Sequence, residues 1–506
     1  MFIALLAGSS VESGDVSVWM GYFDARRSLV LLAGSVLILW SLLRLITGWV
    51  VRRLERMGVA RGGGLRLAGR IDFLLRLFIL LVFTAQLTVG GWTNQVQADW
   101  GLSRFILADE LLLLAPFLLM IVLFWHSYYP VNRYVREHIV AGQLAEGMAA
   151  RPVWSRRQYI SFNVRTGMLI ILAPMLLIKG FLDLITVIQQ RWLGPDLWVD
   201  IASKLIGMMG VAAIFILAPL LLRYIWLTRP LPAGPLRERL ELFCRRMGLK
   251  TRDLLLWDTH SAVANAAVMG LFGRIRYVLL SDSVIENMPD DQIEAVFGHE
   301  AGHIKHHHII YLVFFVLGAG SFVLLLGELG AWILERWLAS YPFWQDYGPW
   351  LYSGWFLVLI VLWALAFGWV SRRFERQADL HGAMVVAPNE NSTSPVEESQ
   401  ISWAETSIAN VPDTNPEKPA SGLTERGARI FGSALIRIAL LNGISIEAHS
   451  WRHSSIGSRV NFLRTLTLSK RALKRFQRVV VIIKILIVLS VVAGVTGTSI
   501  LYLSSR

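Results

Sequence analysis

Eight stretches of this chain stay apolar for the length of a bilayer core, and polar connections separate them. They lie at 29–51, 71–92, 105–128, 166–188, 203–226, 310–334, 351–370 and 479–503. A membrane-crossing helix needs roughly 20 such residues, so the pattern predicts eight helical spans. Two longer polar segments interrupt the series. In the first, 229–308, a helical pattern over 236–248 sets Arg237 and Glu241 one turn apart. Strand-like runs follow at 254–257 and 277–281, and the second is read as a sheet edge that a peptide could extend. Behind Pro289, the residues Asp290, Ile293, Ala295, Val296 and Phe297 predict a helix that runs on toward span six. In the second segment, 371–477, Asn, Ser, Pro and Glu dominate 389–424, which reads as a flexible insertion. Helical pattern resumes at 425–442, and no internal repeat is visible.

Composition agrees with a multi-span membrane protein. Of 506 residues 55% are hydrophobic and only 17% are charged, too apolar a balance for a soluble chain of this size. The net charge of +13 taken alone suggests nucleic acid, but its placement argues otherwise. Residues 52–70 carry six arginines and 129–160 carry five, whereas 93–104, 189–202 and 335–350 carry one basic residue each. Basic loops stay in the cytoplasm, so the N-terminus is expected outside, against the weaker pull of Arg26 and Arg27. The same rule puts 229–308 and 371–477 in the cytoplasm. The positive charge is therefore a topology signal, and no nucleic-acid partner is expected. A single cysteine, Cys244, excludes an internal disulfide and a cysteine-rich zinc site. Residues 1–8 lack a basic start, so the first span is expected to act as the insertion signal.

The chemistry concentrates at His299-Glu300-Ala301-Gly302-His303. Positions i and i+4 share a helix face, so both imidazoles can reach one metal ion, with Glu300 close enough to touch a water on it. Burying three ionisable groups without a metal would be costly, which disfavours a purely structural reading. A catalytic zinc normally takes three protein ligands and keeps one open position. A third histidine six residues after the second is ruled out, because position 309 is Ile. His306, His307 and His308 read better as a polar collar at the membrane surface. Glu375 and Asp379 stand one turn apart just after span seven. There Glu375 can ligate the metal while Asp379 accepts a hydrogen bond from a ligand histidine.

This pattern, HExxH and then Glu375-x-x-x-Asp379 after two spans, resembles the M48 family of integral-membrane zinc metallopeptidases, which includes the Ste24/CAAX prenyl protease type and the related HtpX. Two further segments are similar to that family. One contains Asn265-Ala266, where family members hold extended substrate; the other is His453-Ser454 through Arg459, with Ser454 where the family usually has Pro. The resemblance implies a mostly α, multi-span membrane protein with a small α+β zincin-like catalytic domain. It implies one Zn2+ held by His299, His303 and Glu375, with Asp379 behind a ligand. Glu300 would be the general base, His453 and Arg459 would stabilise the oxyanion, and Asn265 would bind substrate. Arg459 has plainer alternatives, capping a helix or an ion pair with Glu375 or Asp379.

The domain organisation that follows is a five-span membrane domain at 1–228 and a first catalytic half at 229–308. A two-span insertion at 309–370, a second catalytic half at 371–477 and a C-terminal span at 478–506 complete it. The expected partners are a peptide or membrane-protein substrate and the lipid bilayer, in a bacterial inner membrane or an ER-type membrane, with the active site facing the cytoplasm. The competing class is a non-catalytic membrane scaffold stabilised by zinc, against which an intact Glu300 argues. Within the spans, Lys179 and Asp183 are expected to pair, and Glu328 is expected to face the protein interior.

Overall fold

The structure, a computed structural model, describes residues 25–57, 63–102, 105–194, 196–341, 343–386 and 423–504. The insertion expected at 389–424 falls almost wholly outside the described residues. Twelve principal helices are α1 (Ala25–Met57), α2 (Gly63–Thr88), α3 (Ala108–Ala145), α4 (Arg156–Leu193), α5 (Leu197–Ile225), α6 (Pro235–Arg246), α7 (Asp290–Lys305), α8 (His308–Leu338), α9 (Phe343–Val385), α10 (Glu425–Leu441), α11 (Ile456–Leu468) and α12 (Lys470–Ser504). The strands among the described residues are β1 (Thr228–Pro230), β2 (Asp253–Trp257), β3 (Ala266–Met269) and β4 (Tyr277–Ser281). Among the described residues eight helices are long and apolar enough to cross a membrane: α1 to α5, α8, α9 and α12.

The chain divides into two compact units. The first holds α1 to α5 with β1, β2 and β4. Its core comes from one face of each of three spans: Leu39, Leu43, Val50 and Leu54 of α1, Leu75 and Ile79 of α2, and Met120 and Phe124 of α3. Some polar side chains of this unit find backbone partners, as suits a hydrocarbon setting. The Tyr128 hydroxyl donates to Ala68 O at 2.7 Å, and Ser28 Oγ donates to Gly90 O at 2.7 Å. Lys179 contacts Asp183, as expected, and also Glu110 of α3 at 2.7 Å, so a second helix shares the charge. β1 runs antiparallel to β2, and β2 runs parallel to β4 from Asp253 opposite Tyr277 to Trp257 opposite Ser281. All five residues of β4 are buried, which corrects the reading of 277–281 as an open edge.

The second unit holds α6 and α7 to α12 with most of β3. Acidic Asp290 and Asp291 open α7 where the helix dipole favours them. Arg239 of α6 ties that first turn down, reaching Glu294 at 2.6 Å and Asp290 at 3.2 Å. Thr424 caps α10 by accepting from Gly427 N at 3.0 Å, and Ser455 caps α11 by accepting from Ser458 N at 3.3 Å. Phe374, Leu380 and Ala383 of α9, Phe431 and Leu435 of α10, Val460 and Leu463 of α11 and Val480 of α12 build one core. Glu328, expected to face the interior, lies on an exposed face of α8.

Two features of this unit place the chemistry. First, α9 does not stop at the end of its apolar run near 370. It continues as one helix to Val385, so Glu375 and Asp379 ride on the rod that forms a span. Second, α7 and α9 approach unusually closely because glycines line the contact. A Cβ on Gly298 would stand 2.4 Å from Val385 Cγ2, and one on Gly302 would stand 2.9 Å from His381 Cβ and 3.2 Å from Ala378 Cα. A Cβ on Gly382 would meet Ala295 O at 2.9 Å and His299 N at 3.1 Å. Small residues at a helix crossing let backbones come together, which here sets the HExxH face of α7 against Glu375 and Asp379.

Candidate metal centre

His299 and His303 project from consecutive turns of α7, and their Nε2 atoms stand 3.3 Å apart. Glu375 of α9 faces both, with Oε2 3.6 Å from His299 Nε2 and Oε1 3.7 Å from His303 Nε2. Ligand atoms bound at about 2.0–2.1 Å around a tetrahedral zinc lie roughly 3.3–3.4 Å from one another. The two imidazoles and the carboxylate therefore fit three corners of such a site with shifts of a few tenths of an ångström. No other group of three His, Cys, Asp or Glu side chains among the described residues meets that spacing. The donor set of two imidazoles and one carboxylate is that of a catalytic zinc with an open position.

Behind His299, its Nδ1 lies 2.9 Å from Asp379 Oδ1. Asp379 is fully buried, and Arg459 of α11 meets it with both arms of the guanidinium, Nε at 2.9 Å and Nη2 at 2.5 Å. Burial opposes charge on this arginine, but the Asp379 carboxylate outweighs it and raises the Arg459 pKa. Burial likewise works against protonation of His299, yet the Asp379 contact and the charges of Asp379 and Glu375 prevail and raise its pKa. His303 goes the other way: burial and the neighbouring His299 bring it down to about 4. The Phe431 ring stacks on His299 at 5.8 Å between centroids and walls off that side.

Glu300 lies outside the three-residue ligand set, and the Val268 N–H of β3 donates to it. Burial pushes its carboxyl up to about 7. His453 lies before α11, half exposed, with Nδ1 3.0 Å from Glu375 Oε2. The residue after it, Ser454, has φ of 66°, a left-handed conformation that proline cannot adopt. Serine, where the resemblance led to an expected Pro, thus suits the backbone found here. Asn265 is exposed at the entrance to β3, and its Oδ1 accepts from Ala266 N at 3.0 Å.

Two residues around this centre make contacts that the sequence pattern did not show. Asn442, just past α10, clasps the backbone of Ala264: its Oδ1 accepts from Ala264 N at 3.0 Å and its Nδ2 donates to Ala264 O at 2.8 Å. That clasp fixes the approach to Asn265 and β3. His308 is fully buried rather than part of a polar collar, because the chain turns sharply at His306 and His307 before α8 begins. Its spacing of five from His303 suited neither a shared helix face nor a known ligand pattern.

Residues 230–431 match the family described as Peptidase family M48. That range contains His299, Glu300, His303, Glu375 and Asp379, and it ends before His453 and Arg459. A CAAX prenyl protease 1 homolog of Oryza sativa subsp. japonica is 30% identical over 160 residues, covering 31% of this chain and 36% of that protein. The CAAX prenyl protease 1 homolog of Arabidopsis thaliana is 32% identical over 122 residues, 24% of this chain and 28% of that one. Protease HtpX of Nitrosococcus oceani is 26% identical over 153 residues, 30% of this chain and 50% of that one. The chain thus spans half or less of the length of these curated relatives. Among solved structures, S. mikatae Ste24p aligns with a TM-score of 0.41 and 15% identity, over 87% of this chain and 98% of that one.

Proposed function

We propose that this chain is a membrane-embedded zinc endopeptidase that hydrolyses peptide bonds of membrane-associated proteins or peptides, a reading that the match of residues 230–431 to peptidase family M48 supports. The observation that carries the proposal is the convergence of His299 Nε2, His303 Nε2 and the Glu375 carboxylate, with Glu300 left outside the ligand set. A site built only for stability needs no such free carboxylate and closes all four positions. When bound, zinc supplies a Lewis acid that brings a water's pKa to roughly 7 and polarises the scissile carbonyl.

The chain's own residues supply the rest. Glu300 takes the proton from the attacking water and later hands it to the leaving amine. His453 is the residue available to the developing oxyanion, because it is half exposed and borders Glu375 at 3.0 Å. Arg459 is a positioning residue: its guanidinium is spent on Asp379, which in turn orients His299. Asn265 and the backbone of β3 hold substrate in extended form beside Glu300.

The arginine-rich connections support an active site facing the cytoplasm. Relatives named CAAX prenyl protease and protease HtpX both match, and the two substrate classes we propose are lipidated C-termini and damaged membrane proteins. The test is cleavage of an unstructured reporter peptide by the purified chain in detergent, wild type beside Glu300→Gln. Loss of about 10²–10⁴-fold in rate with zinc retained is expected. A wild type that holds zinc and cleaves nothing would favour the zinc-stabilised scaffold.

A further inference from the structure

The two histidines of the centre are supported from behind in different ways. His299 leans on a carboxylate, Asp379, whereas the Nδ1 of His303 lies 3.1 Å from Nδ1 of His308. On its far side, His308 Nε2 lies 2.9 Å from Gln377 Oε1 of α9. The ring of His308 is fully buried and stacks on Phe374 at 4.6 Å and 3°, so its plane is fixed. The turn that brings it there is also fixed. His307 takes a left-handed φ of 57°, and Lys484 of α12 donates to His306 O at 2.8 Å.

We propose that His308 and Gln377 form a neutral hydrogen-bond relay that holds His303 in the tautomer and orientation in which it binds metal. The inference rests on the zinc-centre reading above. An imidazole that lends its Nε2 lone pair to a metal must carry its proton on Nδ1. His303 Nδ1–H then donates to His308 Nδ1, which must be the unprotonated nitrogen of that ring. The proton of His308 therefore sits on Nε2 and donates to the carbonyl oxygen of Gln377. Each step forces the next, and the three groups admit one neutral arrangement that leaves His303 Nε2 free. The reversed arrangement would put a proton on His303 Nε2, facing His299 and Glu375, and would block ligation.

The difference between the two supports has a consequence for the metal. A carboxylate behind a ligand histidine raises its basicity and passes electron density to the ion. At His299 the Arg459 partner tempers Asp379; at His303 a neutral relay adds no charge at all. The centre thereby keeps a single ligating anion, Glu375, which preserves Lewis acidity. His308 is a positioning residue, acting through His303, and Gln377 acts through His308.

The competing account is that His308 merely fills space beside Phe374, so the decisive variants leave His308 in place. Gln377→Leu removes the acceptor, and Gln377→Glu restores one with similar size. The zinc dissociation constant of the full chain in detergent, measured by competition with a chromogenic chelator, is compared with the melting temperature of the metal-free protein. Gln377→Leu is expected to weaken zinc by about 10–100-fold, as is His308→Phe, which preserves an aromatic ring against Phe374. Gln377→Glu is expected to bind as tightly as wild type or tighter, and the metal-free melting temperatures of the Gln377 variants should stay together. Unchanged zinc affinity in Gln377→Leu, or equal weakening in Gln377→Leu and Gln377→Glu, overturns the relay. If His308→Phe does not fold, the Gln377 pair decides alone. A wild type that takes up no zinc defeats the zinc-centre reading and the relay together, whereas a zinc-binding wild type with indifferent variants defeats the relay only.

Discussion

Arg459 and Asp379 form a buried two-pronged pair, Nε to Oδ2 at 2.9 Å and Nη2 to Oδ1 at 2.5 Å, across 80 residues of sequence. The pair joins α11 to α9 directly behind His299. Buried pairs of this kind contribute little compared with an apolar replacement, but removing one partner strands a charge. Arg459→Met is therefore expected to cost about 3–5 kcal/mol, read by chemical denaturation in a mild detergent. A loss under about 1 kcal/mol, typical of exposed pairs, would mean that Asp379 finds water or another partner.

The α7–α9 crossing makes a separate prediction, because it depends on the absence of side chains. Gly302→Val would press against His381 Cβ and Ala378 Cα, at 2.9 and 3.2 Å from the first added carbon. Overpacking of this kind costs typically 1–3 kcal/mol, and here it also moves α7 off Glu375. Reduced zinc content with a lowered melting temperature is the expected result. Gly320→Ala on α8 is the control, since nothing lies within 4 Å of its added carbon.

How much of this was legible in the sequence varied with how local each signal is. The HExxH helix was readable because the shared face of positions i and i+4 depends on helical geometry alone, and the placing of Glu375 and Asp379 on one face followed from the same spacing. All eight spans were readable from apolar runs, but the end of α9 was not. Arg372, Arg373, Glu375 and Arg376 end the hydropathy signal there, while the backbone hydrogen bonds of a helix continue regardless of side-chain polarity. His308 was hidden because its position follows from the turn at His306 and His307, which folds it back onto the preceding helix. Asn442 was hidden because its partner Ala264 lies 178 residues away. The Arg459–Asp379 contact was likewise hidden, because 80 residues separate the two in sequence.

Ser454 offers a test of the segment that leads to His453. Its φ of 66° and its N–H, donated to Ser450 O at 3.1 Å, are both incompatible with proline. Ser454→Pro is expected to displace His453 from Glu375 and lower kcat. Ser454→Gly should instead be tolerated and add up to about 1 kcal/mol, because it relieves the left-handed strain. Steady-state kinetics and melting temperatures of both variants check this. Wild-type kcat in Ser454→Pro would remove His453 from the proposed machinery.

Asn442→Ala frees both backbone groups of Ala264 and so loosens the approach to Asn265 and β3. Leaving a buried group unpaired costs about 1–3 kcal/mol. Since β3 is proposed to hold substrate, KM is expected to rise more than kcat falls, with zinc content unchanged. A fall in kcat alone would place the effect on Glu300 instead.

The central claim is that His299, His303 and Glu375 together hold the metal, and elemental analysis of purified protein tests it most directly. Wild type is expected to carry close to one zinc per chain, Glu300→Gln the same, and Glu375→Ala far less than one. Full zinc retention in Glu375→Ala would contradict the account, because the third ligand would then lie elsewhere.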